Sequence, residues 1–174
     1  MKKFLMTALA LLLGLAMTAC GGAASPPASV SLLADEKDEL AVRRATEEFM
    51  TAHDMQPAAG DDTATPEQAI REEKALLLLC GKNGITLTEE ENAGCDNYYE
   101  NTLPMLEKDE NPEALNNLTE IVTDSGLSWE AYEAVSEANM KYLLLRQKLS
   151  AEVYADDADA LQKAIDDCIA KNGL

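Results

Sequence analysis

The chain has 174 residues, with 32 acidic side chains against 14 basic ones and a formal net charge of −18. This acidity argues against nucleic acid as a partner, because binding it requires lysine and arginine side chains that neutralise phosphates. The single histidine, His53, excludes most zinc, haem and Ser-His-Asp chemistry, whereas the 47% hydrophobic content is enough for the core of one domain.

The first twenty residues have the pattern of a secretion signal. Two lysines precede an apolar run from Phe4 to Met17, which is shorter than the about 20 residues that span a bilayer. The sequence that follows, Thr18-Ala19-Cys20-Gly21-Gly22, resembles the lipobox of bacterial lipoproteins, although Met17 stands where that family usually has Leu. The resemblance implies cleavage before Cys20 and a diacylglyceryl group on its thiol. The protein is then expected at the extracytoplasmic face of the cell membrane.

Three segments are therefore predicted along the chain. Residues 1–19 are the lipoprotein signal peptide. Residues 20–34 are the lipidated cysteine and a spacer whose Gly, Ser and Pro content is typical of flexible linkers. Residues 35–174 form a single folded domain, which two acyl chains on Cys20 would hold at the membrane.

The folded segment is predicted to be all-α, because apolar residues recur at helical spacing and strand-like alternation does not persist. N-cap residues and glycine stops give about five to six helices. The first runs from about Asp35 to His53 and the second from Thr65-Pro66 to Cys80. The third begins at Thr88 and continues past Tyr98 and Tyr99, and Pro104 either kinks or ends it. The last three run from Asn111-Pro112 to Gly126, from Ser128 through Leu149, and from Asp157 to Asn172.

Two of these helices are predicted to organise the packing. The second carries Leu76-Leu77-Leu78-Leu79, which covers more than one face and predicts the most buried position. In the fifth and longest helix, apolar residues at steps of four and three form a seam for a partner helix. The seam comprises Ala131, Val135, Ala138, Tyr142, Leu145 and Leu149.

Residues 69–153 contain three short motifs in a recognisable order. A leucine-rich helix ends in GITLTEEE at residues 84–91, SGLSWEAY follows at residues 125–132, and a long helix carries MKYLLLRQKL at residues 140–149. This order resembles the N-terminal chaperone domain of the SurA/PrsA foldases. The resemblance implies a helical domain that cradles unfolded secreted chains, and the Gram-positive members of this family are themselves lipoproteins.

The chain departs from that family at the isomerase domain. The foldases usually carry a parvulin prolyl isomerase domain, but the residues after Leu149 are too few to form one, and His53 alone cannot supply its active site. The helix from Asp157 to Asn172 corresponds to the helix that closes the family's domain beyond the isomerase. We therefore expect no isomerase activity and no enzymatic activity.

The cysteines other than Cys20 leave several possibilities open. A disulfide between Cys80 and Cys95 would join two arms of a predicted helical hairpin, and Cys168 on the last helix is an alternative partner. All three could also be small buried hydrophobic residues. No metal site or cofactor is predicted, because Cys and His are not closely spaced and the carboxylate clusters fit helix starts better than a calcium loop.

The remaining candidate residues are aromatic and methionine side chains, which adapt to varied partners. They are either ordinary core or a client-binding groove formed by Trp129, Tyr132, Met140, Tyr98, Tyr99 and Met105. The resulting hypothesis is a membrane-anchored chaperone-like lipoprotein that binds unfolded or partly folded secreted proteins, with neither nucleic acid nor a small-molecule substrate as partner. The alternative is an adaptor that docks one specific partner through a helical face.

Overall fold

The regular structure in the described part of the chain is entirely helical. The computed structural model describes residues 31–55, 65–108 and 112–174, so the predicted signal peptide, Cys20 and most of the spacer lie outside it. The described helices are α1 (Glu36–Ala52), α2 (Pro66–Asn83), α3 (Glu89–Asp96), α4 (Tyr98–Lys108), α5 (Glu113–Ser125), α6 (Trp129–Val153) and α7 (Ala158–Asn172). The predicted all-α fold is confirmed, with seven helices in these ranges rather than five to six.

Side-chain caps determine where most of these helices begin. The side chains of Asp35, Thr65, Ser128 and Asp157 each accept a backbone N–H of the first turn. At α3 the Thr88 side chain accepts the Glu91 N–H, and the Glu91 carboxylate accepts the Thr88 N–H, which completes a capping box. These starts agree with the predicted ones because capping is local in sequence.

The additional helix arises because the predicted third helix is divided at Asn97. The backbone of this residue leaves the helical conformation (φ −104°, ψ 6°), and its side-chain amide donates to the Ala93 carbonyl at 2.7 Å. A short amide that competes for backbone hydrogen bonds is a common cause of such an end. Pro104 lies inside α4, so of the two alternatives, that this residue kinks the helix or ends it, the second is excluded.

The main core lies between α2, α6 and α7. Leu76 of α2, Leu149 of α6 and Ile165 of α7 have no exposed surface, and α2 contributes three further buried residues to the cluster around them. Ile85, which follows the αL glycine Gly84 at the end of α2, closes the same cluster. The buried position predicted for the leucine-rich helix therefore matches the structure, although Leu77 and Leu78 are only half-buried.

Helix α6 is the central element, since α1, α2, α3 and α4 all pack against it. Its predicted seam is largely internal. Val135, Ala138, Leu145 and Leu149 are buried, and Ala131 and Tyr142 are half-buried. None of the helices in the described ranges is both long and apolar enough to cross a membrane.

Candidate functional site

An open apolar groove lies between α4, α5 and the first half of α6. It has a volume of about 300 Å³. Its walls come from α4 and α5, and α6 contributes Tyr132 and Ser136. The other lining residues are Tyr98, Thr102, Leu103, Leu106, Ala114, Asn117, Leu118 and Ile121. We refer to this feature as the α4–α5 groove.

The groove is open because two amphipathic helices meet there and no further helix of the described ranges covers them. The apolar stripe of α5 comprises Leu115, Leu118, Ile121 and Val122, but only Val122 is fully buried. Helix α5 packs mainly against α1, whereas α4 packs against α6. None of the side chains described for α4 is fully buried. The facing sides of these helices thus leave aliphatic side chains half-exposed.

Aromatic side chains gather at one end of the groove. Tyr98 and Tyr132 both line it, and Trp129 makes an edge contact with Tyr132 at a ring-centroid distance of 6.4 Å. Burial raises the pKa of the Tyr132 hydroxyl, which a hydrogen bond with Ser136 partly offsets. Trp129 is 41% exposed and lies next to the groove lining through its contact with Tyr132.

The structure brings together only part of the predicted client-binding set. Tyr98 and Tyr132 line the groove, and Trp129 contacts Tyr132 without lining the groove itself. Met105 is on α4 and 72% exposed, and Met140 is half-buried on α6, but neither lines the groove. The side chain of Tyr99 lies outside the described part of the molecule.

Eight of the lining residues were not among the candidate residues predicted from the sequence. They are Thr102, Leu103, Leu106, Ala114, Asn117, Leu118, Ile121 and Ser136. The sequence feature that could have indicated this groove is that two short neighbouring helices each carry an apolar stripe. Whether a third helix covers those stripes depends on the tertiary arrangement, which periodicity does not reveal.

A second chemically distinctive feature is a pair of buried carboxyl groups between α1, α2 and α6. Glu39 and Glu73 are each 1% exposed. Arg43 donates to Glu39 Oε1 from Nε at 2.9 Å and from Nη2 at 2.6 Å. The same Nη2 lies 3.2 Å from Glu73 Oε2 and 3.4 Å from Asn139 Oδ1. One guanidinium therefore serves two carboxyl groups.

Burial is the main cause of a raised pKa at Glu73, which reaches about 8 against an ordinary 4.5. The hydrogen bond with Glu39 and the charge of Glu39 raise it further, while Arg43 opposes the shift. Glu39 Oε2 is buried with no hydrogen-bond partner among the described groups. A proton on Glu73 would supply the missing donor. The pair is enclosed rather than placed in a cleft, which favours a structural role over catalysis.

The signal for this pair was present in the sequence. Glu39 falls on the same face of α1 as Val42 and Phe49, and Glu73 falls on the buried face of α2 with Ile70 and Leu76. A charged residue on an apolar stripe must find a partner or lose its charge when it is buried. The periodicity alone did not indicate that both residues would share Arg43.

The three cysteines of the described ranges are free thiols, so of the possibilities left open, neither the Cys80–Cys95 disulfide nor one with Cys168 is formed in this structure. Cys80 Sγ lies 3.9 Å from the Leu145 carbonyl on α6, and Cys168 Sγ lies 3.7 Å from the Ala75 carbonyl on α2. Cys95 is buried on α3, which packs against α6. The expected hairpin of α2 and α3 is replaced by separate packing of each helix on α6.

His53 and the surface carboxylates form ordinary surface contacts. His53 stacks on Phe49 at the end of α1, and its Nε2 lies 3.2 Å from Glu120 Oε1. Within the described ranges, no group of three or more His, Cys, Asp or Glu residues is arranged to hold a metal ion.

Comparison of the chain with protein-family models, curated protein sequences and solved structures gives no match.

Proposed function

We propose that this protein is a lipid-anchored extracytoplasmic lipoprotein that binds unfolded exported polypeptides in the α4–α5 groove. Binding buries apolar side chains of the client against the groove and is reversible. It uses neither ATP nor isomerase chemistry. The high negative charge of the chain keeps the complexes soluble.

The observation that carries this proposal is the groove itself. Its lining is mostly aliphatic and aromatic, and it lies open beside the exposed ring of Trp129. Its volume, about 300 Å³, is at the lower end of the range for ligand sites. A space of this size suits a few side chains of a flexible segment rather than a folded partner. The secretion signal and the foldase-like motifs agree with such a client.

Suppression of aggregation tests the proposal directly. The chain from Gly21 onward is mixed with an unfolded secreted protein, and light scattering follows the client's aggregation. An equally acidic inert protein serves as the control for charge. Suppression beyond that control is the expected result. Equal scattering in the two samples would contradict chaperone-like binding.

Two matched substitutions assign the activity to the groove. Leu118→Ser removes an apolar contact from the groove wall, whereas Leu143→Ser makes the same change at an exposed position on α6 outside it. We expect Leu118→Ser to lose most of the suppression and Leu143→Ser to keep it. Circular dichroism of both variants confirms that they remain folded. Equal activity of the two variants would exclude the groove as the binding site.

The lipid anchor is tested independently of the groove. With Cys20→Ser, the thiol that would carry the diacylglyceryl group is absent, and the signal should no longer be cut before residue 20. We expect the wild-type protein to incorporate labelled fatty acid and to partition into detergent, and the variant to incorporate none. Incorporation into the variant would show that Cys20 is not the attachment site.

The adaptor hypothesis remains the alternative. The predicted seam on α6 is mostly buried within the protein, so a specific partner would have to use the groove or another exposed face. An adaptor should form a stoichiometric complex with one purified protein and leave the aggregation of unrelated clients unchanged. Weak binding to many unfolded chains is expected for the chaperone.

A further inference from the structure

The helices that form the groove carry an unusual imbalance of charge. Along α4, α5 and residues 129–137 of α6, the only basic side chain is Lys108. The same segments contain eight carboxylates, namely Glu100, Glu107, Glu113, Glu120, Asp124, Glu130, Glu133 and Glu137. The three segments that line the groove thus carry far more negative than positive charge.

These carboxylates are close enough to repel one another where α4 and α6 meet. Glu133 and Glu137 follow the lining residues Tyr132 and Ser136 directly in sequence. Burial raises the pKa of Glu137, and the charges of Glu133, Asp96 and Glu100 raise it further. Lys141, which opposes this shift, already forms an ion pair with Asp96. The local excess of negative charge is therefore not neutralised within this part of the molecule.

We propose that the α4–α5 groove selects polypeptide segments in which apolar side chains are flanked by lysine or arginine. The inference rests on the proposed function and adds the chemistry of the client. Two or three apolar side chains enter the groove, and the flanking cations lie against the carboxylates of its rim. Neutral segments gain only the apolar contacts, and acidic segments are repelled.

Three synthetic peptides with one apolar pattern distinguish charge from hydrophobicity. They carry the core Leu-Ala-Phe-Leu-Ala and are flanked on both sides by two lysines, two glutamines or two glutamates. The full chain is held in vesicles of zwitterionic phosphatidylcholine, which does not attract the lysine peptide by net charge. Trp129, the only tryptophan of the chain, reports binding by its fluorescence, and the anisotropy of dye-labelled peptides gives a second measurement.

The lysine peptide is expected to bind about tenfold more tightly than the glutamine peptide at about 50 mM salt. This advantage should shrink at about 500 mM salt, because mobile ions screen exposed charges. The glutamate peptide should bind weakest. The double variant Glu133→Gln/Glu137→Gln should lose most of the lysine preference while still binding the glutamine peptide.

A second double variant controls for the change in net charge. Asp159→Asn/Asp167→Asn alters two exposed carboxylates of α7, which does not line the groove, and should keep the full preference. A loss of preference that is equal in the two double variants would overturn selection by the rim. Equal binding of all three peptides would overturn the inference but leave the proposed function standing. Binding of none of the peptides would overturn both.

Discussion

Replacing Glu73 by Gln should make the protein more stable at neutral pH. Glu73 is 1% exposed, and its pKa in the folded protein is raised to about 8 from an ordinary 4.5. The folded state therefore holds a proton at pH 7 that the unfolded chain has released. Folding at that pH must first restore this proton, and the cost is absent from a side chain that does not ionise.

The magnitude follows from the two pKa values. Each unit of difference corresponds to about 1.4 kcal/mol, and roughly 2.5 units separate pH 7 from the unfolded pKa, so the cost at pH 7 is about 3 kcal/mol. Glutamine keeps the shape of the side chain. Its amide can donate to the unpartnered Glu39 Oε2, and its carbonyl can accept from Arg43. We expect Glu73→Gln to raise the free energy of unfolding by about this amount.

The sign of the pH dependence is also determined. Because the folded pKa of Glu73 lies above the unfolded one, the wild-type protein loses stability from this group as the pH rises from 4.5 towards 8. The variant does not incur this loss. The difference in stability between variant and wild type should therefore be small near pH 4.5 and grow steadily up to pH 8.

Urea denaturation followed by circular dichroism, at pH 5, 6, 7 and 8, measures this difference. Glu72→Gln is the matched control, since it makes the same change one residue away at a partly exposed site of α2. Its effect should stay within about 0.5 kcal/mol. If Glu73→Gln were no more stable than the wild type at pH 7, or if the two proteins had parallel pH profiles, the assignment of a buried neutral Glu73 would be refuted.

Three further predictions concern packing, backbone conformation and thiol reactivity. Leu76→Ala removes a fully buried side chain and should lower the free energy of unfolding by about 2–5 kcal/mol, so a loss below 1 kcal/mol in urea would contradict its central position. Gly84→Ala should lower the free energy of unfolding by about 1 kcal/mol, because Gly84 has φ +70°. Gly81→Ala, inside α2, should raise the free energy of unfolding slightly. A thermal unfolding experiment in which the two variants have the reverse order of stability would refute this account. At pH 8, iodoacetamide should label the partly exposed Cys168 before Cys80, because burial raises the pKa of the Cys80 thiol to about 11. Faster labelling of Cys80, measured by mass spectrometry, would argue against its burial.

The groove shows which residues of the candidate site could be predicted from the sequence. It selected Tyr98, Tyr132 and Trp129, because aromatic side chains in a small helical protein stand out in composition. It included Met105 and Met140 for the same reason. Both methionines and Trp129 lie outside the groove lining, although Trp129 contacts the lining residue Tyr132. Residue type alone does not distinguish a side chain that lines a groove from one on another face of the same helix.

The sequence by itself determined the helical class, most helix starts and some helix ends. Caps such as Thr88 with Glu91, and stops such as Gly84 and Gly126, depend on hydrogen bonds and backbone conformations within a few residues. The division at Asn97 is also local. However, the free-energy difference between continuing and ending a helix at an asparagine is small, so the residue type alone does not predict which occurs.

Only the tertiary structure decided which helices meet and what lies between them. It joined Glu39 and Glu73 across 34 residues around one guanidinium, and no other helix among the described residues covers the facing sides of α4 and α5. Both results depend on contacts between residues far apart in the chain. An apolar stripe specifies that a helix face should be buried, but the identity of its partner follows from the packing of all the helices together.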